Sequence, residues 1–160
     1  MKRIKVIQTV VFMILTLLVV CFIFRNSLKN IAQSKEQSSQ IVELLEPILA
    51  PVFNGSEEKM DVFVRKAAHF VEFSMLGFCL GGFADGLCRH FWKRVMLFLP
   101  LFLLLAVAVT DELLQSFNDR GSMVSDVVLD FCGGLFGLAA LCVLFGLIRV
   151  LMKRRGLNYG

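Results

Sequence analysis

The chain has 160 residues, 57% of them hydrophobic, with sixteen Phe and seven Met against one Tyr and one Trp. Ordinary soluble domains are about 45–50% apolar, so a conventional water-soluble enzyme or binding module is excluded. The net charge of +4 does not indicate nucleic acid, because the basic residues gather at the flanks of apolar runs rather than on one patch.

Four apolar runs follow one another along the chain, and a spanning helix needs about 20 such residues. The first, Val6 to Phe24, holds no charge. It follows Lys2, Arg3 and Lys5 but outruns the ~7–15 residues of a signal-peptide core, so it reads as an anchor that is kept. Residues 25–62 form the one long connection. Asn26 to Gln40 is polar and Ser/Gln-rich, as expected of a flexible linker. Beyond it, Ile41, Leu44, Leu45, Ile48, Leu49 and Val52 fall at helical spacing, while Pro47 and Pro51 argue against a long helix. The expectation is either a short helix lying on the membrane surface or a loop folded onto the bundle.

The second run, about 63–84, is interrupted by His69 and Glu72. The third covers about 92–114 and the fourth about 126–149, the latter interrupted by Asp130. The expected fold is therefore an all-α integral membrane protein. It has four transmembrane helices, residues 1–24 as tail and first span, 25–62 as outer loop, 63–150 as core, and 151–160 as a tail. The five cysteines, Cys21, Cys79, Cys88, Cys132 and Cys142, form no Cys-x-x-Cys pair and read as small hydrophobes.

Orientation follows from lysine and arginine placement. Lys2, Arg3 and Lys5, then Arg89, Lys93 and Arg94, then Arg149, Lys153, Arg154 and Arg155 share one side with a single acid, Asp85. On the other side acids outnumber bases. Both termini are expected in the cytoplasm. His90 falls in the inner connection and reads as an interfacial residue.

Ionisable groups within spans cost about 2.5–3.5 kcal/mol each at a helix centre on the insertion scale, so those that persist have a structural or functional reason. Arg65, His69 and Glu72 lie at i, i+4 and i+7, within ~60° of one another on a helix. Asp111 and Gln115 share a face at the end of the third span, with Glu112 about 100° away. Asp126 and Asp130 open the fourth span, on the same face as Gly133 and Gly137, which marks that face as packed. Arg120 is the only basic residue between Thr110 and Ile148. Given the orientation, all of these groups fall at the outer ends of their helices. Gly77 and Gly81 form a Gly-x-x-x-Gly pair on another face of the second span, expected to meet a different neighbour. Such pairs serve oligomers and packing within one chain equally well.

Two stretches resemble the signatures of the VanZ-like family, whose namesake is linked to teicoplanin resistance. The first is Arg65-Lys66-x-x-His69-Phe70-x-Glu72-Phe73-x-x-Leu76-Gly77. The second is Asp111-Glu112-x-x-Gln115-x-Phe117, then Arg120, then Asp126-Val127-x-x-Asp130-x-x-Gly133. The Pro-Gly that often precedes the family's arginine is absent here, and Phe73 stands where Tyr is common. The resemblance implies a multi-pass protein of the bacterial cytoplasmic membrane, tied to glycopeptide or lipid-linked envelope substrates. It supplies no reaction.

Two functions of different class fit these residues. In a binding or resistance factor, Arg65, Lys66 and Arg120 pair a phosphate or carboxylate of an envelope lipid or glycopeptide. Glu72, Asp111, Glu112, Gln115, Asp126 and Asp130 would then meet its hydroxyls or amines. In a small intramembrane enzyme acting on a lipid-linked headgroup, His69, Glu72 and Asp111 carry acid–base chemistry. Histidine is the side chain whose proton exchange falls nearest neutrality. Acid pairs could also hold a divalent ion. No recognised metal spacing, nucleophile elbow or phosphate-cradling loop is present, however, so no metal set is assigned and the cofactor is unknown. A transporter or proton relay is a third possibility, with a short pathway unless the chain oligomerises.

Overall fold

The computed structural model describes residues 2–87, 93–118 and 123–154, with side chains from Val6 to Leu87, Phe98 to Asn118 and Met123 to Arg154. The described residues are all-helical, with five helices in chain order: α1 (Lys2–Ser27), α2 (Ile31–Phe53), α3 (Glu57–Leu87), α4 (Lys93–Ser116) and α5 (Val124–Arg154). Among the described residues α1, α3, α4 and α5 are long and apolar enough to cross a membrane, and α2 is not.

α3 is the hub and packs against each of the other four helices. Its contacts with α5 advance together along both chains: Phe70 meets Gly133, Ser74 meets Gly137, and Gly81 meets Leu138 and Leu141. The two helices are therefore parallel. α1 runs the other way, with Phe12 against Gly82, Thr9 against Gly86, and Asn26 beside Glu72. Consequently the end of α1 and the starts of α3 and α5 lie at one end of the bundle with the end of α4.

In lipid, helices gain little from leaving an apolar solvent. Close van der Waals packing and interhelical polar contacts hold them together instead. Glycine makes that possible between α3 and α5. A Cβ on Gly133 would stand 2.6 Å from the Phe70 carbonyl oxygen, and one on Gly137 or Gly77 would collide with the backbone of Ser74 or Gly134. Gly77 and Gly81 thus face α5, the same helix that carries Asp130 beside His69, not a different one. Helices packed at an angle meet successive faces of each other along their length, which a single helical wheel does not capture. A buried core is formed by Ile23 of α1, Phe73, Leu76 and Leu80 of α3, and Leu104 and Ala108 of α4.

Residues 25–62 depart most from expectation. α1 runs on to Ser27, and the stretch expected as a linker is the first half of α2. Asn30 starts it with a capping box: its side chain accepts from the Gln33 N–H at 2.9 Å while the Gln33 side chain accepts from the Asn30 N–H at 3.4 Å. α2 then passes through Pro47 and Pro51 and ends at Asn54, in the left-handed conformation with φ 50°. Proline removes a backbone donor and is costly inside a helix. Here packing offsets that cost: Val42 and Leu49 bury against Met60 and Val64 of α3. Leu44, Ile48 and Val52 stay exposed on the other face. Cys21, Cys79, Cys132 and Cys142 are all free thiols, whereas Cys88 and His90 lie outside the described residues.

Candidate functional site

The ionisable groups within the spans meet at the bundle end defined above. α3 brings His69 inward because Phe70 and Ser74 rest on glycines of α5. This draws the two helices close and sets the imidazole between two carboxylates. His69 Nδ1 lies 3.6 Å from Asp111 Oδ2 on α4 and 3.8 Å from Asp130 Oδ1 on α5. Asp111 is 0% and Asp130 1% exposed.

The two acids are held differently. Asp111 Oδ1 accepts from the Ser27 hydroxyl of α1, and its Oδ2 accepts from Gln115 Nε2 at 2.8 Å, one helical turn along α4. Among the described residues no donor bonds either oxygen of Asp130. A buried carboxylate in that condition is expensive, and it points at His69.

Around this centre lie two clefts that share Arg65 and His69. The first, about 390 Å³, lies between α1, α2 and α3, with Arg25, Lys29, Gln37, Gln40 and Glu72 in its walls. Glu72 Oε1 accepts from Asn26 Nδ2 at 2.8 Å, and Lys29 Nζ donates to Asn26 and Gln37 at 2.8 and 2.9 Å. Arg65 is tethered by Asp61 at 3.3 Å, and the Ser38 hydroxyl of α2 bonds that same Asp61. The second cleft, about 280 Å³, opens between α3, α4 and α5 and is lined by Lys66, Glu112, Gln115, Asp126 and Asp130. At its rim Lys66 pairs with Asp126 at 2.6 Å. Glu112 Oε2 accepts the Met123 N–H at 3.1 Å, just ahead of the first turn of α5.

His69, Asp111 and Asp130 therefore form one cluster, with Gln115 attached through Asp111. Glu72 belongs to the first cleft, Lys66, Glu112 and Asp126 to the second, and Arg65 to both. Arg120 lies outside the described residues. Sequence reasoning missed the contributions of α1 and α2. Asn26 and Ser27 are ordinary polar residues at a helix end, and Asp61 carries no signal until α2 is known to fold over it.

One His and two carboxylates, with ligand atoms all within 4.8 Å of one another, are chemically able to share a proton, orient a base or hold a cation. None of this is visible in local spacing, because each residue comes from a different helix.

No curated protein and no solved structure matches the chain. The VanZ/LLP1 family model matches residues 12–147, from the first half of α1 to the second half of α5. The match thus includes the helices that supply Asn26, Ser27 and Ser38 as well as the two charged stretches. The chain is a multi-pass membrane protein that belongs to the VanZ/LLP1 family.

Proposed function

We propose that this protein binds the polar headgroup of an envelope amphiphile, a lipid-linked precursor or a glycopeptide, at the extracytoplasmic end of its bundle. Through that binding it would serve glycopeptide resistance or envelope maintenance in the bacterial cytoplasmic membrane. The observation that carries this reading is the first cleft. Arg25, Lys29 and Arg65 stand in its walls, and among the described residues the buried Nε of Arg65 has no hydrogen-bond partner. Arginine and lysine side chains lining a cleft suit a phosphate or carboxylate. Glu72 and His69 beside them suit hydroxyls or an amine. α2, apolar on its exposed face at Leu44, Ile48 and Val52, would lie along the outer membrane surface and place the cleft mouth at headgroup depth.

The test is binding of a short-chain polyprenyl phosphate to purified protein in nanodiscs. Arg65→Ala should weaken it at least about tenfold, equivalent to ~1.4 kcal/mol. Unchanged affinity in a folded Arg65→Ala variant rejects the reading.

A second reading, turnover of the headgroup by acid–base chemistry, is favoured by His69 standing between Asp111 and Asp130. A base oriented by a buried carboxylate is the arrangement that general catalysis uses. It requires a product that forms with the wild-type chain and is lost in His69→Ala. Equal product from both would remove His69 from any catalytic role.

A further inference from the structure

We propose that His69, Asp111 and Asp130 bind one divalent transition-metal ion of the zinc or manganese class. The inference rests on the ligand-site reading above and names what holds the ligand there.

The geometry comes first. The three candidate ligand atoms are mutually within 4.8 Å, with His69 Nδ1 at 3.6 and 3.8 Å from the two carboxylate oxygens. Two ligands each ~2.0–2.2 Å from one ion stand ~3–3.5 Å apart, so small side-chain rotations close the set around a cation. Donor type comes second. One imidazole nitrogen with two carboxylate oxygens suits zinc or manganese better than calcium or magnesium, which favour all-oxygen shells.

The independent observation is Asp130. It is 1% exposed, neither of its oxygens accepts a hydrogen bond among the described residues, and it faces the same point as Asp111. Among the described residues its one ion-pair partner is His69. Two carboxylates buried side by side repel each other strongly at low dielectric. A divalent ion neutralises both and accepts a neutral imidazole as its third ligand.

Asp111 already carries the outer contacts that orient a metal-binding carboxylate, from the Ser27 hydroxyl and the Gln115 amide. Three protein ligands leave the coordination shell open. His69 also lines the first cleft, where the headgroup is held, which gives an anionic oxygen of that headgroup a route to the open position.

The experiment uses the full chain, purified in detergent without a polyhistidine tag, stripped with chelator and dialysed against zinc or manganese. Metal per chain is read by elemental analysis. The wild-type chain should take up one ion, and that ion should raise its unfolding midpoint. Asp130→Asn, which keeps the side-chain shape, should bind at least tenfold more weakly and lose the metal-dependent rise. His69→Ala should do the same, and Asp85→Asn at the far end should match the wild type. No stoichiometric uptake by the wild-type chain, or equal uptake by folded Asp130→Asn, overturns the proposal. Polyprenyl phosphate binding measured on the same samples separates the two readings. Arg65-dependent lipid binding without metal uptake removes the metal and leaves the headgroup site. Metal uptake without lipid binding removes the headgroup reading and leaves the metal.

Discussion

The two ends of this helix bundle carry charge in opposite ways. At one end, groups from α1, α3, α4 and α5 turn inward and meet across helices, as in Ser27 with Asp111, Asn26 with Glu72, and His69 between Asp111 and Asp130. At the other, Asp85 and Arg149 face each other at 3.9 Å with side chains 37% and 59% exposed. Exposed charge at a helix end costs little and acts as a topology signal. Buried charge from several helices is costly and persists only where packing or function offsets the cost. The contrast identifies which charges belong to a site.

The glycine contacts between α3 and α5 hold the inward-turned end together, so breaking them should have the largest effect. Gly137→Leu drives a side chain into the Ser74 backbone. Overpacking costs ~1–3 kcal/mol, occasionally more, and a backbone clash belongs at the upper limit. The expected outcome is loss of monodisperse protein, or a midpoint lowered by at least ~3 kcal/mol, read by thermal unfolding in detergent. Next in size, Asp130→Asn should stabilise the metal-free chain by ~1–3 kcal/mol, because it removes a buried charge whose oxygens lack hydrogen bonds. A midpoint lowered by that substitution would mean that the carboxylate is a structural support rather than a site held ready for a ligand. The smallest effect belongs to the other end. Arg149→Ala should change stability by less than ~0.5 kcal/mol, since it removes one solvent-exposed pair. A larger loss would show that the two ends are not distinguished by burial.

Much of this organisation is legible in the sequence, and the reasons are specific. His69, Glu72 and Asp130 stand out because they interrupt apolar runs, and Gly133 and Gly137 mark the packed face through their spacing with Asp130. The convergence of α3, α4 and α5 follows from counting spans. Three features were not legible. That Gly77 and His69 meet the same helix depends on how α3 and α5 cross. The continuity of α2 through Pro47 and Pro51 depends on burial against Met60 and Val64, a tertiary contact that overrides a local preference. The grouping of His69, Asp111 and Asp130 as ligands leaves no spacing pattern, because each comes from a separate helix.

The central claim is that the inward-turned end faces outside and the Asp85–Arg149 end faces the cytoplasm. Single cysteines at Gln40, exposed in the first cleft, and at Asp85 can be introduced into a cysteine-free chain and treated on intact cells with a membrane-impermeant maleimide. The Gln40→Cys chain should be labelled without permeabilisation and the Asp85→Cys chain only after it. Labelling of Asp85→Cys on intact cells, with Gln40→Cys protected until the membrane is opened, would contradict the account.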